Sequence, residues 1–163
     1  MTNEQMEEFL AIGEQFGHSR THLLARGSQA STVTVTDIEQ LRALVRPRNP
    51  QQLQDREADI SQRSAGRART LAEHIESYLY GQGELSSSQV KAANGGLPVN
   101  VRLVSEGTST MPHGETVIGP SADPTVWNCG TLNFYSDSVL TVKNTYFTLN
   151  VQNLVMQYVD PKH

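Results

Sequence analysis

The sequence predicts an α+β fold: N-terminal helices including one long helix, then a C-terminal antiparallel β-sandwich or small barrel. Three observations predict it. Helix start and stop signals crowd the first part of the chain, up to Gly96. A helical pattern broken only by Gly66 runs from Pro50 to Tyr80, and β-branched alternation takes over after Pro98. A short β-solenoid is the alternative arrangement of the same strands. Leu132 and Leu154 stand 22 residues apart, as do Phe134 and Met156, a spacing that suits stacked coils.

Thr2 with Gln5 has the capping-box pattern, and Met6, Phe9, Leu10 and Phe16 place an apolar stripe on the helix that follows, which Gly17 ends. Thr32-Val33-Thr34-Val35-Thr36 is β-branched throughout and reads as a short strand. Thr36, with Glu39 three residues on, is expected to cap a second helix whose apolar face is Ile38, Leu41, Leu44 and Val45. Arg46 to Asn49 breaks it. Asn49 and Pro50 then supply an N-cap and a first helical residue.

The long helix is expected to carry a seam of Leu53, Ile60, Leu71, Ile75 and Leu79, at the spacing of an eleven-residue repeat. Its flanks are dense in Asp, Glu and Arg and read as a solvated surface. Ser86 with Gln89 opens a short helix that Asn94-Gly95-Gly96 closes. Beyond Pro98, Val99, Val101 and Leu103 alternate with polar residues. A polar loop follows from Glu106 to Pro124, with a strand at Glu115–Ile118 inside it. Thr131–Tyr135, Val139–Lys143, Tyr146–Val151 and Leu154–Tyr158 complete the strands. Their connections are too short to carry crossover helices, which argues for antiparallel pairing. The expected organisation is a small helical region with a short strand over 1–49, the long helix over 50–83, a short helix and linker over 84–96, and a β-domain over 97–163.

Composition bounds the function. Of 163 residues, 37% are hydrophobic and 18% charged, a globular rather than disordered balance. No apolar run approaches bilayer length, and Glu4, Glu7, Glu8 and Glu14 make the start acidic, unlike a secretory signal. The expected location is the cytoplasm or the interior of an assembled particle. Cys129 is the only cysteine, which excludes an internal disulfide and a cysteine zinc cluster. Arginines dominate before residue 70 and lysines after residue 90, but no basic block stands free of acids, so a nucleic-acid partner is not expected.

Glu14, His18 and His22 are spaced four apart, and one continuous helix would present all three as metal ligands. Gly17 interrupts that helix, so no metal is expected. Cys129 beside Trp127 reads as a packed thiol; a nucleophile would need His74 or His113 brought close by folding. No nucleophile elbow, phosphate loop or zinc-protease motif is present, and neither a catalytic residue nor a cofactor is expected. No stretch of the chain identifies a family.

The leading expectation is therefore a non-enzymatic, oligomeric structural or assembly subunit of a larger particle such as a virion or shell. Self-association would run through Leu53, Ile60, Leu71, Ile75 and Leu79, because a single β-domain cannot cover so long a seam. The first alternative is a ligand-binding module that recognises a carbohydrate or a protein through the 106–127 region, with Trp127 as the contact. The second is a hydrolase dependent on Cys129.

Overall fold

The computed structural model describes residues 1–121, 123–143 and 145–159. Helix α1 (Asn3–Gln15) starts at the Thr2/Gln5 capping box, with both reciprocal hydrogen bonds formed. A short helix α2 (Arg20–Arg26), capped by Ser19 and ended by Gly27, follows; the sequence reading missed it. Strand β1 (Ser28–Val35) leads to α3 (Ile38–Val45). The cap of α3 is Asp37, whose carboxylate accepts from the Glu39 and Gln40 amides, and not the expected Thr36. Then come α4 (Pro50–Arg63), α5 (Leu71–Tyr80) and α6 (Ser87–Asn94). The strands are β2 (Val99–Thr110), β3 (Gly114–Ile118), β4 (Thr125–Tyr135), β5 (Ser138–Val142) and β6 (Phe147–Gln157).

Two features of the predicted fold are overturned. There is no long helix: the run from Pro50 to Tyr80 is two helices, α4 and α5, packed on each other. The first helix ends at Arg63 with Ser64 as its cap, whose Oγ bonds back to the Ile60 carbonyl at 2.9 Å, and Gly66 turns the chain beyond it with a left-handed φ of +81°. Thr70 and Glu73 then form a complete capping box that starts the second. The charged flanks are not simply solvated either. Arg56 and Arg63 both reach Glu76, Arg67 pairs with Glu73, and Arg69 pairs with Glu57 at 2.7 Å. Arg67, together with the Thr70 amide, holds the Glu73 carboxyl down to about 2. Glu57 Oε1 also accepts from Ser77 Oγ and the Gln82 amide. Four of the front-half arginines, Arg56, Arg63, Arg67 and Arg69, thus serve to close the α4–α5 hairpin.

The antiparallel sandwich or barrel is also overturned. One sheet has the order β1-β2-β4-β6 and is mixed; the other holds β3 and β5. Strands β2 and β4, β4 and β6, and β3 and β5 all pair in parallel. Short connections do not forbid this, because the chain returns to the first sheet by way of a strand in the second, β4 to β5 to β6, with no crossover helix. Leu132 faces Leu154 and Phe134 faces Met156, so the 22-residue offset is the register of β4 on β6. The stretches expected as separate strands at Tyr146–Val151 and Leu154–Tyr158 form the single strand β6.

By backbone contacts the chain divides into two units, Met1–Val33 with Arg102–His163, and Thr34–Val101. In the second, Ile60, Leu79, Tyr80, Leu41 and Val45 are buried. In the first, α1 packs on β4 and β6, and Phe9, Leu10 and Leu23 form a buried cluster. The face of the sheet toward α1 carries two ladders, Leu103-Val126-Thr148 and Ser105-Asn128-Asn150, buried throughout. Asn128 Nδ2 donates to the Phe9 carbonyl at 2.9 Å and to Ser105 Oγ at 3.1 Å.

Candidate functional site

The other face of the same strands builds the candidate site. Its ladders are Val104-Trp127-Leu149 and Glu106-Cys129-Val151. Between Cys129 and Leu132 the inward parity switches, because the register passes a glycine pair. A Cβ on Gly130 would lie 2.5 Å from the Gly107 carbonyl oxygen, so only glycine lets the two passes stack there. After the switch, Leu132 and Phe134 continue the same cluster with Met111 and Leu140.

Where the strands open toward β3, a cavity of about 590 Å³ forms, within the size range of small-molecule sites. Arg102, Glu106, Asp123, Thr125, Trp127 and Phe147 are among its lining residues. The indole and the Phe147 ring meet edge to face at 6.2 Å. Trp127 Nε1 is buried and, among the described residues, has no hydrogen-bond partner. The region expected to contact a ligand, 106–127, therefore supplies much of this wall. Arg102 and Glu106 were not singled out in sequence, although a carboxylate two residues after Val104 in an alternating strand was a readable signal.

No protein-family model, curated protein or solved structure matches the chain.

Cys129 is fully buried, and its thiol bonds the Thr131 carbonyl at 3.3 Å. Burial, and secondarily the charge of Glu106, pushes the thiol up to about 12, so thiolate is scarce at neutral pH. His113, one candidate base, is engaged elsewhere: its Nδ1 lies 2.8 Å from Asp137 Oδ1 and its ring stacks on Tyr135.

The structure separates the three metal-ligand candidates. Glu14 pairs with Arg20 at 2.6 Å, His22 bonds the Ser28 carbonyl at 3.0 Å, and α1 has ended before His18 is reached. His18 is 2% exposed, with Ser105 Oγ at 2.7 Å on Nδ1 and Ser31 Oγ at 3.0 Å on Nε2. Burial first, and the charge of His22 second, lower its pKa below the ordinary 6.5. A base with a depressed folded pKa binds fewer protons when folded than when unfolded. Its contribution to stability is full above pH 6.5 and is lost as pH falls from there through the folded value. Urea midpoints are expected to drop over that interval, before the carboxylates titrate, and His18→Gln is expected to flatten the drop.

The proposed helix seam does not survive as one stripe. Ile60 is fully buried, Leu79 is 7% exposed, Leu53 and Ile75 are half-buried, and Leu71 is 43% exposed. Of the arginines before residue 50, Arg20 bridges Glu7 and Glu14, while Arg42 and Arg46 both donate to the Tyr78 carbonyl. Among the described residues, no helix is long and apolar enough to cross a membrane.

A different apolar surface stands open. Strand β6 ends the four-stranded sheet, and the ladder that buries Leu132 to 2% leaves Leu154 61% and Met156 59% exposed one strand later. Phe147–Gln157 contains no charged residue and no proline.

Proposed function

We propose that this chain is a non-enzymatic assembly subunit of a larger particle, joined to a second copy of itself through the outer edge of β6. The observation that carries this reading is the contrast between Leu132 and its ladder neighbour Leu154, buried and exposed on adjacent strands. An outer strand is ordinarily protected by lysine, proline or a bulge against pairing with another chain. The Asn153–Gln157 half of β6 has no charge or proline, and it carries two large apolar side chains.

A second copy suits this edge better than a partner of different chemistry. An uncharged strand neither attracts a charged partner nor repels its own copy, and a two-fold axis makes one edge self-complementary. With the axis at Val155, antiparallel pairing sets Leu154 opposite the Met156 of the second copy, and the reverse. Association then buries four apolar side chains and extends the Leu132/Phe134 cluster across the interface. The role first assigned to the helix seam passes to β6, because α4 and α5 cover much of that seam within one chain.

Sedimentation velocity tests this reading. The unmodified protein is expected to associate at micromolar concentration, and Leu154→Lys/Met156→Lys to remain monomeric with an unchanged circular dichroism spectrum. Both positions are exposed, so the fold should tolerate the change. A monomeric unmodified protein, or equal association of the two, contradicts the proposal.

A further inference from the structure

The cavity beside Trp127 carries one charged group that the chain itself leaves unsatisfied and reachable. Glu106 is a half-buried carboxylate, and among the described residues it makes no hydrogen bond or ion pair. Its oxygens keep accessible surface, unlike the sealed indole nitrogen of Trp127. It lines the cavity, on the face of β2 that pairs with Cys129, and its charge is felt by the Cys129 thiol. Taking a carboxylate part of the way out of water without a partner is costly, and a cation entering the cavity removes that cost.

The strand register sets the rest of the ligand. Arg102, Val104 and Glu106 share one face of β2, in rows with Phe147, Trp127 and Cys129. The Arg102 and Glu106 rows stand about 13 Å apart along the strand. Arg102 and Asp123 are both exposed and lie at the same end, because the Arg102 amide donates to the Pro124 carbonyl. Their charges offset each other there, so Glu106 leaves the lining one negative charge in excess. Between the two ends the wall is apolar, with Val104, Trp127 and Phe147 on the sheet. An anion gains Arg102 but is repelled by Glu106, and a neutral ligand leaves the carboxylate without a counter-charge. A dication carries its second charge onto the apolar wall or up to Arg102. A single ammonium on an apolar stem fits all of these groups. We infer that this cavity binds a small amphiphilic monoamine, its ammonium on Glu106 and its stem against Val104, Trp127 and Phe147. The site lies apart from Asn153–Gln157 in sequence and does not depend on self-association.

Trp127 is the only tryptophan, so its fluorescence reports this site alone. The experiment titrates 2-phenylethylamine to millimolar concentration against its neutral counterpart 2-phenylethanol, the anion 3-phenylpropionate and the dication putrescine. The amine is expected to give a saturable shift and to bind about tenfold more tightly than each of the other three, the margin of one charge-assisted hydrogen bond. This series uses the unmodified protein and needs no variant to fold. Glu106→Gln keeps the shape and removes the charge, and is expected to abolish the preference for amine over alcohol. Glu115→Gln makes the same change on the exposed side of β3, outside the cavity lining, and is expected to keep it. No saturable response to the amine, equal binding of the alcohol, the acid or putrescine, or a preference that survives Glu106→Gln or is lost equally in Glu115→Gln overturns the inference.

Discussion

Ile60→Asp is expected to unfold the Thr34–Val101 unit, with a loss of more than about 4 kcal/mol. Ile60 has no exposed surface, and it sits on α4 just before the turn that sends the chain back as α5. A carboxylate there enters an apolar interior with no cation placed to meet it. Arg56, Arg63, Arg67 and Arg69 are already engaged by Glu76, Glu73 and Glu57. The measurement is a urea melt followed by far-ultraviolet circular dichroism, alongside Leu71→Asp as the comparison. Leu71 is 43% exposed, and that substitution is expected to cost less than about 1 kcal/mol. One continuous helix with an intermolecular seam requires the opposite pattern, in which both variants keep their fold and lose only association.

Phe9→Ala is expected to cost about 3–5 kcal/mol, the usual range for deleting a buried ring. Phe9 is 2% exposed, clusters with Leu10 and Leu23, and belongs to the helix that covers β4 and β6. The cost extends beyond the ring. The Phe9 carbonyl takes one hydrogen bond of the buried Asn128 side chain, so a shift of α1 into the cavity disturbs the Ser105-Asn128-Asn150 ladder as well. Met6 flanks that cluster half-buried, so Met6→Ala should cost clearly less. Equal costs would mean that α1 is seated on a different face.

What was legible in the sequence was short-range. The Thr2/Gln5 and Ser86/Gln89 capping boxes, and Asn49 before Pro50, each depend on residues within one helical turn, and each forms as read. The Thr70/Glu73 box has the same pattern and was equally readable. It was hidden because Leu71, Ile75 and Leu79 restart in phase with Leu53 and Ile60, so the apolar spacing runs unbroken across a real turn. Strand direction was not local. Alternation marks Thr131–Tyr135 and Val139–Lys143 as strands, but whether neighbours run parallel depends on which strand returns beside which. Here the partner lies two strands along, in the other direction of travel from a hairpin. Trp127 was named from its residue type alone. That it lines one cavity with Glu106 follows only from the stacking of β2 on β4, which sets Val104 beside Trp127 and Glu106 beside Cys129.

Amide hydrogen exchange across Asn153–Gln157 as a function of protein concentration tests the β6 interface most directly. Self-pairing places new backbone hydrogen bonds on the outer edge of that segment. Alternate amides there are expected to gain protection as concentration rises through the association range, and to lose it in Leu154→Lys/Met156→Lys. Protection that stays constant while the mass increases would place the contact elsewhere and contradict the account.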